Sequence, residues 1–183
     1  MPGSHVRRSL RLPGHDYASP GAYFITVCTR ERVCLFGEVH DGQMHLCGPG
    51  EIVRTVWQNL PNHFPDVDVD ALVVMPNHLH AILVLQPAVG AKHPELPDAS
   101  PLPVSTRPHG TRPRSIPAMV QNAKSVAARE IDRLRRTPGA PVWQRGYFEH
   151  IVRTPDELGR LRQYIETNPL RWGLDRENYP INA

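Results

Sequence analysis

The stretch Val67–Leu85 restricts the fold more than any other part of this chain. Two apolar runs, Val67-Asp-Val-Asp-Ala-Leu-Val-Val-Met75 and His78-Leu-His-Ala-Ile-Leu-Val-Leu85, are separated only by Pro76-Asn77. Both runs are rich in β-branched and long aliphatic residues, which suit a pleated, half-buried surface. Proline followed by asparagine is a turn signal. The two runs must therefore fold back on one another as an antiparallel pair. An exposed pair of this kind is at best marginal in water, so further strands and a helical layer are required.

The rest of the sequence supplies them. Ala22-Tyr-Phe-Ile-Thr-Val-Cys-Thr29 reads as a strand, and a short turn-flanked segment surrounds Gln43–Leu46. From Pro49 to about Phe64, Ile52, Val53, Val56, Trp57 and Leu60 recur at helical spacing. A second helix runs from Ile116 to about Leu134 through Val120, Ala123, Ala127 and Ile131. Tyr147–Val152 is a short strand, and Pro155–Asn168 a last helix with Thr154 as its cap. The order strand, helix, strand, strand, helix, strand, helix predicts an α+β fold of the ferredoxin-like, split βαβ kind. It implies an antiparallel sheet with helices on one face, and an extra C-terminal helix that carries Tyr164.

Residues 1–20 read as a basic flexible arm, 21–175 as a single domain and 176–183 as a tail. Within the domain, residues 86–113 are proline-rich and lack periodicity, which marks a loop insertion. The chain shows no signal-peptide pattern and no apolar run approaching ~18 residues, so a cytoplasmic protein without a membrane partner is expected. Three cysteines, Cys28, Cys34 and Cys47, match no zinc-module spacing and read as ordinary thiols.

Against this frame, four residues carry chemistry. On a strand alternate side chains share a face, so His78 and His80 point the same way. On a helix residues four apart share a face, so Tyr164 and Asn168 can address one target. Two buried imidazoles are costly unless satisfied, and a divalent metal would satisfy both. Two imidazoles, an amide oxygen and a phenol could thus surround one metal ion and one phosphodiester. Mg²⁺ prefers oxygen ligands while imidazole also suits Mn²⁺, so either cation is expected.

The charge is uneven along the chain. Residues 1–104 hold seven Lys/Arg against ten Asp/Glu, and residues 105–183 hold fourteen against eight. All but two of the 21 basic residues are arginine, whose planar fork suits phosphate oxygens. Such a balance permits a nucleic-acid partner, and the candidates for contact with it are Arg112, Arg114, Lys124, Arg129, Arg133, Arg145 and Arg153.

At several of these places the chain resembles the single-tyrosine HUH transposases, particularly the REP-associated tyrosine transposases. The matching pieces are Val74-Met-Pro-Asn-His-Leu-His-Ala81, Gln121-Asn-Ala-Lys-Ser125, Trp143-Gln-Arg-Gly-Tyr-Phe-Glu-His-Ile-Val-Arg153 and Tyr164-Ile-Glu-Thr-Asn-Pro169, followed by Trp172-Gly-Leu174. The resemblance departs from the group at Gly21-Ala22-Tyr23, where REP-associated members carry Gly-Thr-Trp. It implies a metal-dependent endonuclease and strand transferase acting on single-stranded DNA with hairpin structure. His78, His80 and Asn168 would be its metal ligands and Tyr164 its nucleophile, forming a 5′-phosphotyrosine intermediate; Tyr147 is the fallback nucleophile, and the Asn168 spacing favours Tyr164. A monomer or a homodimer fits the resemblance. The alternative function is a domesticated single-stranded hairpin binder without transposition activity.

Overall fold

The computed structural model describes residues 15–87 and 113–174. Most of the expected arm, the core of the 86–113 loop including Arg112, and the 176–183 tail lie outside the described residues. Strand β1 (Gly21–Cys28) is followed by a small hairpin, β2 (Gly37–His40) and β3 (Gln43–Leu46). Then come α1 (Gly48–Gln58), a single turn α2 (Leu60–His63), β4 (Val67–Met75), β5 (His78–Leu85), α3 (Ile116–Arg135), β6 (Phe148–Val152) and α4 (Pro155–Thr167). A 3-10 segment, Pro169–Leu174, closes the described chain.

The main sheet has the order β4-β5-β1-β6 with every neighbouring pair antiparallel. This is the split βαβ arrangement expected from the sequence. Two differences have local causes. The helix expected over 49–64 breaks at Asn59, because Pro61 has no N–H to give the Trp57 carbonyl and its ring would clash there. The segment around Gln43–Leu46 is half of a hairpin whose Asp41-Gly42 turn has positive φ at both residues (51° and 72°). Asp-Gly is the sequence signature of such a turn.

Alternation along β1 and β5 sends apolar residues to both faces of the sheet. Tyr23, Ile25, Val27, Leu79, Ala81 and Leu83 pack with Val53 and Trp57 of α1 and Met119, Val120 and Ala123 of α3. Phe24 and Ile82 face the other way and form a second cluster with Ile165, Leu158 and Leu161 of α4. Two helices therefore share one face as expected, but the extra helix covers the opposite one. The reason is that β1 and β5 are apolar on both sides, and a sheet with two apolar faces must be covered twice.

The position of α4 is set at several points. Thr154 Oγ1 accepts from the Glu157 backbone N–H, capping the helix. A register shift between Val69 and Ala71 puts Asp70 out of step with the ladder. Asp70 there accepts both Nε (2.8 Å) and Nη2 (2.5 Å) of Arg162 on α4. Together with Ile165 in the apolar cluster, these contacts hold the helix over β4 and β5.

Candidate active site

His78 and His80 lie at the start of β5 and point to the α4 face, since His80 is opposite Thr26 and His78 opposite Cys28 in the register. Both residues are removed from solvent, with fractional exposures of 0% and 2%. Their centroids are 4.6 Å apart. Each ring is oriented by a polar neighbour that the sequence reading did not single out.

For His78 that neighbour is Asn77. The Asn77 amide donates through Nδ2 to the Arg32 carbonyl (3.2 Å), so its Oδ1 accepts from His78 Nδ1 (2.8 Å). The ring proton is thereby held on Nδ1 and the lone pair on Nε2. The turn that makes this possible is pinned from outside. The Pro76 carbonyl accepts the Leu35 and Phe36 N–H groups, and the Asn77 carbonyl accepts from the Thr29 N–H. Asn77 was legible only as a turn former; its second role needs the Arg32 carbonyl in place.

For His80 the neighbour is Thr26, whose Oγ1 is 2.8 Å from Nδ1. Phe24 stacks on the same ring at 5.3 Å, with 22° between planes. A threonine among Ala22, Tyr23, Phe24, Ile25 and Val27 was the available sequence signal, but only the register pairs it with His80. Burial, helped by the adjacent His78, lowers the His80 pKa well below its ordinary 6.5. The ring is neutral at physiological pH, the state in which an imidazole can ligate a metal.

Tyr164 reaches the pair from α4. Its hydroxyl is 3.3 Å from His80 Nε2, and its ring meets that of His80 edge-on at 5.1 Å. Four residues on, Asn168 is fully buried at the C-terminal end of the helix. Another turn on, Trp172 stacks on His78 at 6.0 Å. The segment 164–172 thus lies across both histidines, anchored to His80 at one end and to His78 at the other. Of the four expected residues, His78, His80 and Tyr164 are joined by direct ring or hydrogen-bond contacts, and Asn168 is buried one helical turn from Tyr164.

Tyr147 does not join them. It packs with the α1/α3 cluster on the opposite face, and its hydroxyl donates to Glu149 Oε2 at 2.7 Å. The basic candidates divide. Lys124 Nζ donates to the carbonyls of Gln144 (2.9 Å) and Gly146 (2.7 Å), which braces the loop before β6, and burial lowers its pKa. Arg114 pairs with Asp66, and Arg133 with Glu130 one turn away. Arg129, Arg145 and Arg153 are exposed.

No family model matches the chain. A protein of Haemophilus influenzae strain Rd, named only as an uncharacterized protein, is 36% identical over 181 residues, covering 95% of this chain and 94% of its own length. The chain belongs to one family with that protein. A second protein of the same strain, provisionally named a REP-associated tyrosine transposase, is 23% identical over 159 residues, covering 86% of this chain and 75% of the other. A solved structure of a REP-associated tyrosine transposase bound to a REP hairpin superposes with a TM-score of 0.58 at 18% identity. That match covers 91% of this chain and 76% of the other. The chain therefore resembles the REP-associated tyrosine transposases in sequence and shares their fold. Among the described residues, no helix is long and apolar enough to cross a membrane.

Proposed function

We propose that this family member is a DNA transposase of the tyrosine type: it cleaves single-stranded DNA at sites near hairpins and rejoins the ends. The observation that carries the reading is the Tyr164 hydroxyl, 3.3 Å from the Nε2 of a neutral, buried His80. Hairpin DNA as the partner is supported by the solved relative of like fold, which is bound to a REP hairpin.

Among the described residues no three His, Cys, Asp or Glu side chains gather, so a metal here would take two imidazoles and an amide oxygen. The donor set fits that demand. The Asn77 bond leaves the His78 lone pair on Nε2, His80 is kept neutral, and Asn168 is buried beside Tyr164 on the same helix face. Mg²⁺ or Mn²⁺ held by His78, His80 and Asn168 would polarise a scissile phosphate and neutralise charge developing on it.

The protein's own groups do the rest. The phenol oxygen of Tyr164 forms a bond to phosphorus while the bond to the 3′ oxygen breaks. The phenolic proton passes to water, and the departing 3′ oxygen takes a proton from water and leaves as a hydroxyl. The 5′-phosphotyrosine ester keeps the energy of the phosphodiester, so a second 3′-hydroxyl can reverse the step without ATP. Phe24, Thr26 and Trp172 keep the two imidazoles in register and out of water.

The test is a gel assay with circular single-stranded DNA carrying a hairpin and either Mg²⁺ or Mn²⁺. A metal-dependent protein–DNA adduct that disappears in Tyr164→Phe is the expected result. Cleavage that persists in Tyr164→Phe would remove Tyr164 as the nucleophile.

A further inference from the structure

On the sheet face opposite the histidines, a cavity opens between α3 and the loop that leads into β6. Its volume is about 460 Å³, and its lining includes Gln121, Lys124, Ser125, Trp143, Gly146 and Tyr147. None of its lining residues is acidic.

Its walls are built rather than incidental. Trp143 Nε1 donates to the Lys124 carbonyl (2.9 Å), and the indole packs against Phe36 at 5.2 Å. Tyr147 is held through its hydroxyl by Glu149, a carboxylate that is itself 7% exposed. The ammonium group of Lys124 ties down the carbonyls of Gln144 and Gly146. Two aromatic rings are thus locked in place before any ligand arrives, which reduces the entropy lost on binding. Gln121 and Ser125, one helical turn apart on α3, are exposed and offer an amide and a hydroxyl. Exposed Arg129 follows Ser125 by another turn, and exposed Arg145 adjoins Gly146. Rigid aromatic rings, a few adaptable polar groups and flanking arginines are the chemistry that receives an unstacked base on a phosphate backbone.

We propose that this cavity receives one unpaired base of single-stranded DNA, with the ring against Trp143 and Tyr147 and its edge toward Gln121 and Ser125. The proposal rests on the single-stranded DNA reading given above and adds a second contact to it. The loop is also tied to the active centre: the Gln144 N–H donates to the Cys28 carbonyl (2.9 Å), and Cys28 lies opposite His78 in the sheet. A base seated here would fix the strand relative to the end of β1 that pairs with the catalytic strand.

The test fills the cavity from its exposed rim. Ser125→Phe in the full chain is compared with wild type by fluorescence anisotropy on a labelled single-stranded oligonucleotide, and by photocrosslinking of 5-bromouracil-substituted DNA with peptide mapping. A stacked base contributes roughly a tenfold to hundredfold gain in affinity. Ser125→Phe is therefore expected to weaken binding by at least about tenfold. Wild-type crosslinks are expected in the peptides holding Trp143 and Tyr147. Should Ser125→Phe fail to fold, the paired change Gln121→Ala with Ser125→Ala, both on exposed positions, reads the same affinity. Unchanged affinity together with crosslinks elsewhere would overturn the proposal while leaving the Tyr164 chemistry standing, as shown by its adduct. A wild-type protein that binds no single-stranded DNA would overturn both.

Discussion

Thr26→Val isolates the contribution of the hydroxyl that orients His80. Valine keeps the shape of threonine and is at ease in a strand, so the backbone of β1 has no reason to move. What is lost is the 2.8 Å contact between Oγ1 and His80 Nδ1. Water cannot replace it, since Thr26 is 7% exposed and His80 2%. Nor can the ring swing away to find another partner, because Phe24 stacks on it while Tyr164 and His78 both meet it edge-on. A buried polar group left without its partner costs about 1–3 kcal/mol. For a domain of this size that corresponds to a melting temperature lower by about 3–10 °C. The same loss frees the tautomer of His80, and removing such an orienting partner costs roughly 10–100-fold in metal affinity. Thermal unfolding followed by circular dichroism reads the first effect, and Mn²⁺ titration calorimetry reads the second. A variant with wild-type melting temperature and wild-type Mn²⁺ affinity would refute the assignment of Thr26 as the group that positions His80.

Three further outcomes are expected. Tyr147→Phe should retain adduct formation at saturating DNA, because its ring is on the other face of the sheet from His80, while losing about 1–3 kcal/mol of stability as buried Glu149 gives up a donor; loss of the adduct in a folded variant that still binds single-stranded DNA would contradict the placement. His80 has a folded-state pKa below its unfolded value near 6.5, so the unfolded chain binds more protons below that pH. Its contribution to stability is therefore complete above about pH 6.5 and declines as pH falls toward the depressed folded value, by up to about 1.4 kcal/mol per pH unit. Urea unfolding of wild type and His80→Asn at pH 7.5 and 5.5 checks this, and parallel pH profiles would count against it. Finally, a Cβ at Gly50 would stand 2.1 Å from the Phe36 carbonyl oxygen, which is backbone and cannot yield. Gly50→Ala should destabilise by about 1–3 kcal/mol, seen as a lower urea midpoint; no shift would mean that α1 can slide on the β2 segment.

Much of this molecule is legible in its sequence, because its elements are strongly patterned. Two apolar runs around Pro76-Asn77 make an antiparallel pair whatever surrounds them, and helical spacing marks α1, α3 and α4 without knowledge of their partners. The alternation of His78 with His80, and the four-residue interval from Tyr164 to Asn168, are local facts of strand and helix geometry. That Tyr164 meets His80 is not local. It depends on α4 crossing to the face that Phe24 and Ile82 leave apolar, a choice made by the sum of burial on both sides of the sheet. The same dependence hides the supporting residues. Thr26 becomes the partner of His80 only through the register of β1 with β5, and Asn77 orients His78 only because the Arg32 carbonyl takes up its amide. Lys124 carries a charge suited to DNA, but two backbone carbonyls brought near by the fold hold it instead. Sequence alone determined which segments are strands and helices and which side chains share a face. Tertiary structure decided which faces meet, because hydrogen bonds and buried contacts between distant segments exist only once the chain has closed.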